Sequence, residues 1–250
     1  MSKSVFLTTC ARCGTHWVGS ILRALLGLRY TTEEWTGEGR FVELAARVAE
    51  MEAGSPGGRC YIRHQPLDTL IPIRDRLDVV ALVRDPRDVL ISVGYYYMRK
   101  RGTSRERETV RGLGVPDLDH FGPIFKRLLE RIHNPTWFDG YLAGRFKVEH
   151  SLIRYEDMVR DPVGTVGLAL ERMGQPLPEE RIAQVVQGCS FEHLTGGRHP
   201  GDEDRNSHYR KGVAGDWRNY FTQEQNRRYF ERYRRYFEAF SYSVEGEPPC

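Results

Sequence analysis

A chain of 250 residues is long enough for one α/β domain with a sizeable core and short for two independent ones. Hydrophobic residues make up 40% and charged residues 28%, which argues against a disordered polymer, and a net charge of +3 is too weak to point to nucleic acid through bulk charge. Five irregularly spaced cysteines, Cys10, Cys13, Cys60, Cys189 and Cys250, argue against the disulfide framework of a small secreted scaffold.

In chain order, residues 5–9 form a short apolar run that ends at a loop containing Gly14. Residues 16–26 then place Trp17, Ile21, Leu22, Leu25 and Leu26 at helical spacing. No signal pattern precedes the first run and no stretch is long and apolar enough for a bilayer, so a cytoplasmic protein without a membrane partner is expected. Residues 41–51 read as a helix, closed by the breaker Gly54-Ser55-Pro56-Gly57-Gly58. Residues 60–63 read as a strand, and the continuous apolar run 79–83 as a strand covered on both faces. Pro86 suits a first helical position and opens a helix to about residue 98.

Residues 99–120 are polar and charged and read as a mobile surface loop. Helices are expected over 121–132 and 135–142, and a strand within 146–155 centred on Leu152-Ile153. Helices over 162–173 and 178–187 each have a proline near the start. A second mobile loop spans 192–209, and a last helix runs from about 222 to 240. Strands alternating with helices imply a parallel sheet flanked by helices, with ligands beyond the carboxyl ends of the strands. The loops after Thr9, Arg63, Val83 and Ile153 are therefore expected to share one edge.

Three segments carry chemistry. The first is Thr8-Thr9-Cys10-Ala11-Arg12-Cys13-Gly14-Thr15-His16-Trp17. A strand-to-helix loop offers backbone N–H groups and the positive end of a helix dipole to an anion. Gly14 permits close approach, Thr15 adds a hydroxyl and Arg12 a fixed charge. A nucleotide-triphosphate loop would read GxxxxGK[ST]; here the cation precedes the glycine and no Lys-Ser/Thr pair follows, so no metal is expected. Cys10 and Cys13 also make a CxxC, read as two reduced thiols or as a redox pair; zinc would need further ligands at suitable spacing.

The second segment runs from Val80 to Ser92, with Arg84 at a strand end and Ser92 within the next helix, so that both reach one phosphate. Alone, Arg84 also fits an ion pair with Asp85 or Asp88, and Asp88 fits a role in holding the helix start. The third is Arg210-Lys211-Gly212-Val213-Ala214-Gly215-Asp216-Trp217-Arg218, two cations followed by a glycine that lets backbone approach phosphate oxygens.

These segments resemble those of the 3′-phosphoadenosine-5′-phosphosulfate (PAPS)-dependent sulfotransferases, and the third closely resembles the family's RKGxxGDW element. The likeness covers about residues 5–22, 59–99 and 146–240 and is nearest to bacterial-type small-molecule enzymes. It implies an α/β, P-loop-like three-layer sandwich with a central parallel sheet flanked by helices, as one domain over 1–250. It implies transfer of a sulfuryl group from PAPS to a hydroxyl of a small molecule by in-line displacement, with adenosine 3′,5′-bisphosphate as product and no metal.

The resemblance assigns His64 as general base, Arg12 to the leaving phosphate, and Ser92 to the catalytic set and the 3′-phosphate. It places Arg12, Cys13, Gly14, Thr15, His16, Trp17, Arg84, Ser92, Tyr155, Cys189, Phe191, Arg210, Lys211 and Gly212 around the donor. Trp17 and Tyr155 fall to adenine, with the Cys189-Ser190-Phe191 segment at the same base; core packing explains Tyr155 and Phe191 equally well. Arg12 stands where animal cytosolic enzymes usually have lysine, Cys13 where serine is usual, and His16 where threonine is usual, which makes His16 a second acid/base candidate. Arg63 replaces a small residue and suits a charged acceptor. Over residues 218–227 the lysine, valine and glutamate of the animal KxxxTVxxxE dimer element are all changed.

Two other readings remain at this point. A P-loop-type kinase needs a Mg²⁺-binding hydroxyl after a loop lysine and an acidic strand end; the first is missing, and Asp85 imitates the second. A non-catalytic arginine-rich module for nucleotide or RNA is suggested by residues 205–235, where nine cations face three carboxylates. The aromatics of the last helix lie at helical spacing, so they read chiefly as a packed face and the arginines as a solvated one. A nucleic-acid partner is therefore not expected.

Overall fold

Strand β1 (Ser4–Thr9) is buried along its whole length, as an apolar strand covered on both faces must be. It forms the centre of a five-stranded sheet in the computed structural model, which describes residues 3–10, 12–30, 46, 48, 58–64, 66–101 and 135–245. The strand order is β2-β3-β1-β4-β5, with β2 at Arg29–Tyr30, β3 at Arg59–Arg63, β4 at Leu77–Val83 and β5 at Ser151–Arg154. Each pairing is parallel, and the register sets Thr8 beside Arg63, Thr9 beside Leu82 and Val83 beside Arg154. The carboxyl ends of β1, β3, β4 and β5 thus share one edge of the sheet, as the alternation of strands and helices implied.

Contacts divide the chain into two compact units, Met1–Val83 with Pro135–Ser190, and Arg84–Asn134 with Phe191–Cys250. The first holds the whole sheet. Helix α1 (Thr15–Leu26) buries Val18, Ile21, Leu22 and Leu25, spaced three and four apart, and packs on β1 and β3. A 3₁₀ turn at Leu67–Ile73 packs with helix α3 (Pro135–Gly144). Helix α5 (Pro162–Arg172) starts on Asp161, whose carboxylate accepts the Gly164 N–H at 2.9 Å, with Pro162 in its first turn. Helix α6 (Glu179–Gly188) buries Ile182 and Val186 and packs against α1 and α5. This parallel sheet with flanking helices is the P-loop-like α/β arrangement that the sequence implied.

The second unit is organised around a buried cation. Helix α2 (Pro86–Arg101) carries in its first turn Arg87, which is 0% exposed. Its guanidinium donates to Asp85 at 2.6 Å, to Asn226 Oδ1 at 2.7 Å and to the carbonyls of Ser243 and Val244 at 3.0 Å. The same group lies 3.7 Å from the centre of the Trp217 ring. Removing one partner of such a buried charge costs about 3–5 kcal/mol. Helix α8 (Gln223–Ala239) starts on a capping box between Thr222 and Gln225. It buries Tyr229, Tyr236 and Phe237 and exposes Arg227, Arg228 and Arg234, which pair with Glu224 and Glu231.

Some elements differ from the sequence expectation. The strand expected within 146–155 is present at Ser151–Arg154, centred on Leu152-Ile153, but the sequence did not mark the short helix that follows it, α4 (Tyr155–Arg160). Glu156 and Asp157 in its first turn suit the positive end of a helix. The stretch expected as a loop over 192–209 begins as helix α7 (Phe191–Thr195). Beyond it Arg198 donates to the carbonyls of Asp202, Tyr209 and Arg210 at 3.1, 2.7 and 3.2 Å, supplying backbone partners that local sequence does not reveal. Helix α2 continues past residue 98 to Arg101. The loop expected over 102–120, the helix over 121–132 and most of that over 41–51 lie outside the described residues.

Candidate active site

In the first unit the loop between β1 and α1 is tightly specified. Arg12 has φ of 68°, a left-handed backbone uncommon outside glycine, and Gly14 follows at 90°. A Cβ on Gly14 would lie 2.8 Å from Cδ2 of Tyr155, so glycine is required by space as well as by backbone. No side chain caps the start of α1 and no acidic residue sits in its first turn. The dipole end of α1 therefore suits an anion. Cys10 and Cys13 are not joined by a disulfide, and their sulfurs lie 2.9 Å apart.

Tyr155 is only 7% exposed and meets Trp17 edge-on, with ring centres 6.1 Å apart. The buried Nε1–H of Trp17 has no hydrogen-bond acceptor among the described residues. Cys189, at the end of α6, is half-buried, and burial pushes its thiol pKa up.

His64 stands at the end of β3, with Nδ1 3.0 Å from the backbone oxygen of Thr9. A carbonyl only accepts, so Nδ1 carries a proton, and in the neutral imidazole the lone pair is then on Nε2. The imidazole is thus held, across the β1–β3 pair, in the tautomer a base needs. His16, at the start of α1, has a lowered pKa: desolvation is the main cause, and the charges of Arg12 and His64 act in the same direction. The structure therefore sets Arg12, His16 and His64 within one electrostatic neighbourhood. Arg63, beside the candidate base, donates to the carbonyl of Ile62 at 2.7 Å.

In the second unit the basic residues are gathered and already paired. Arg84 donates to the Val213 carbonyl at 3.0 Å and lies 3.6 Å from Asp88. Asp85, the other partner weighed for Arg84, is taken by Arg87, and Asp85 also accepts the Arg87 backbone N–H at 2.9 Å. Asp85 therefore holds the start of α2. Asp88, expected there, turns instead to the RKGxxGDW segment and accepts from the N–H groups of Gly215 at 2.7 Å and Trp217 at 2.8 Å. Ser92 is buried on the same helix.

Arg210 is held by Asp216 and Glu203, and Lys211 donates to Asp216 at 2.6 Å. The Arg210 guanidinium also lies 4.6 Å from the Tyr95 ring centre, and Tyr95 shares a 3.0 Å hydrogen bond with Tyr220. Gly212 has φ of 68°, and a Cβ there would lie 2.4 Å from the Phe191 ring. Phe191 thus packs directly on the Gly212 backbone. The sequence reading missed Asp216, Glu203, Tyr95 and Tyr220. Asp216 carried a signal, an acid five residues after Lys211; the other three carried none.

Among the described residues no group of three or more His, Cys, Asp or Glu side chains is gathered as a metal-ligand set. No described helix is long and apolar enough to cross a membrane.

These features coincide with a wider likeness. Rattus norvegicus sulfotransferase 2B1 is 27% identical over 251 residues, spanning 92% of this chain and 69% of that protein. Cavia porcellus 3-alpha-hydroxysteroid sulfotransferase is 25% identical over 239 residues, spanning 88% and 78%. The crystal structure of mouse sulfotransferase SULT7A1 complexed with PAP superposes with a TM-score of 0.67 at 22% identity, covering 94% of this chain and 84% of that one. The model of the sulfotransferase domain matches residues 2–241, and the chain belongs to the sulfotransferase family.

Proposed function

We propose that this sulfotransferase moves a sulfuryl group from PAPS to a hydroxyl of a small molecule and releases adenosine 3′,5′-bisphosphate. The observation that carries the transfer step is the Thr9 carbonyl on His64 Nδ1, which leaves Nε2 free to accept a proton. The acceptor oxygen attacks sulfur as His64 takes its proton, and the bond from sulfur to the 5′-phosphate oxygen breaks. Arg12 stays charged at neutral pH and stabilises the leaving phosphate rather than protonating it. His16, with its lowered pKa, is the second basic candidate on the loop.

The reading assigns the phosphosulfate end of the donor to residues Arg12 to His16. The uncapped start of α1, with no acid in its first turn, supports that assignment. Arg84, Ser92, Arg210, Lys211 and the Gly212 backbone are assigned to the 3′-phosphate. Asp216 and Glu203 already face Arg210, so phosphate binding there exchanges one anion for another. Trp17 is assigned to adenine by stacking, with Tyr155 as its buried edge-on neighbour and Cys189 at the same base. The relative named for a hydroxysteroid supports a hydroxyl acceptor.

A panel of hydroxyl-bearing small molecules incubated with labelled PAPS, in the presence of a chelator, tests the proposal by mass of the product. Sulfated product formed without divalent metal is expected. Transfer that requires ATP and Mg²⁺ would replace this reading with a kinase.

A further inference from the structure

Neither thiol of the β1–α1 loop moves a proton or the sulfuryl group in the transfer step above, although Cys13 lies within the segment assigned to the donor. Cys10 directly follows β1, and Cys13 directly precedes Gly14, the N-cap of α1. Both are reduced and both are buried. Their sulfurs are 2.9 Å apart, only about 0.9 Å beyond a disulfide bond of ~2.05 Å. Arg12, between them, holds the left-handed backbone that folds the loop back on itself. The pair therefore needs little movement to become bonded, whereas two thiols packed for bulk alone need no such approach.

We infer that Cys10 and Cys13 are a reversible oxidation site within the anion loop, and that their disulfide weakens donor binding. The effect on binding rests on the proposal that residues Arg12 to His16 hold the phosphosulfate end. Hydrogen peroxide is the oxidant. Cys10, at 9% exposure, is reached before Cys13, at 0%. The Cys10 sulfur attacks one peroxide oxygen, the O–O bond breaks, and a sulfenic acid and one water result. The Cys13 sulfur then attacks the Cys10 sulfur, the S–O bond breaks, and a second water leaves. Two thiols and one peroxide give one disulfide and two waters, so sulfur is oxidised and peroxide oxygen reduced. A dithiol reductant reverses the step by thiol–disulfide exchange.

Bond formation draws Cys10 and Cys13 together and shifts the Arg12 to Gly14 backbone between and beside them. The Thr9 carbonyl that holds His64 is one residue from Cys10. A misplacement of about 1 Å in a binding constellation is enough to cost ~10²-fold in rate.

The test uses the full chain. Peroxide-treated protein is alkylated and peptide-mapped, and adenosine 3′,5′-bisphosphate binding is measured by calorimetry before oxidation, after it, and after dithiothreitol. We expect a Cys10–Cys13 cross-link, an affinity at least about tenfold weaker while it persists, and recovery on reduction. Cys10→Ser should make binding indifferent to peroxide; Cys10→Ala serves the same purpose if the first variant does not fold. Absence of the cross-link, or a cross-linked chain that binds the nucleotide as before, overturns the inference. A reduced chain that does not bind the nucleotide overturns the donor assignment and the effect on binding with it, and the cross-link map then decides the oxidation site by itself.

Discussion

Asp88 accepts a hydrogen bond from the backbone N–H of Trp217 at 2.8 Å, a contact between residues 129 positions apart. Its other oxygen accepts from Gly215 at 2.7 Å. One carboxylate on α2 thereby pins the end of the RKGxxGDW segment to the helix that carries Ser92, with Arg84 3.6 Å away. Burial pushes the Asp88 pKa up, while the Arg84 charge and the two backbone bonds oppose that rise.

Asp88→Asn puts an amide donor where one of the two N–H groups needs an acceptor. Leaving a buried group unsatisfied costs about 1–3 kcal/mol. Affinity for adenosine 3′,5′-bisphosphate should fall about tenfold, whereas affinity for adenosine 5′-phosphate, which lacks the 3′-phosphate, should change little. Calorimetry with both nucleotides checks this; equal losses would point to general damage instead.

Asp216 predicts an acid limb in stability. Burial opposes its ionisation, but the Arg210 charge and hydrogen bonds from Lys211, Arg210 and Asn219 outweigh burial and lower its pKa below the ordinary 3.8. A carboxylate with a depressed folded pKa stabilises the fold above its unfolded pKa, and that contribution is lost as pH falls through the folded value. Asp88 has the opposite sign, because its raised pKa favours the protonated form on folding. Denaturant midpoints followed from about pH 6 to about pH 3 should fall less steeply in Asp216→Asn than in the parent chain. Parallel curves would remove Asp216 as the source.

His64→Ala should lower turnover by about 10²-fold or more and leave bisphosphate binding nearly intact. Steady-state kinetics over pH, beside calorimetry, separates loss of the base from loss of the donor site. Near-normal turnover would move the role to His16.

Gly14→Ala places a methyl 2.8 Å from the Tyr155 ring on a backbone at φ of 90°. The expected loss is about 1–3 kcal/mol, read as a lower melting temperature. Adding Tyr155→Ala should remove the clash while leaving the backbone strain and a new cavity. The double variant should therefore lose less than the sum of the two single losses. Strict additivity would show that the ring contact carries no energy.

Much of the site was legible because several of its residues sit next to punctuation in the chain. Thr9, Arg63 and Val83 end strands marked by apolar runs, and His64 and Arg84 directly follow two of those ends. Arg210, Lys211 and Gly212 form a contiguous pattern whose chemistry is local. Of the partners of Arg210, Asp216 is marked by its place in the same motif, whereas Glu203 and Tyr95 were not legible. Glu203 and Tyr95 reach Arg210 from separate stretches of chain, and a sequence motif records only what is contiguous. Gly212 illustrates the difference. Its glycine was readable as an approach point for phosphate, but the nearest group in the structure is the Phe191 ring.

The sequence by itself determined the alternation of strand and helix, the anion-suited loop and the family of the chain. Those properties rest on periodicity, caps and contiguous motifs, which act over a few residues. Only the tertiary structure decided the tautomer of His64, the load on Asp88 and the contact of Tyr95 with Arg210. Each depends on backbone groups or charges brought from elsewhere in the chain, 55 residues away for Thr9 and 129 for Trp217. The β1–α1 loop shows both levels: its residue types mark an anion site, and the path of the backbone through Arg12 sets two thiols 2.9 Å apart.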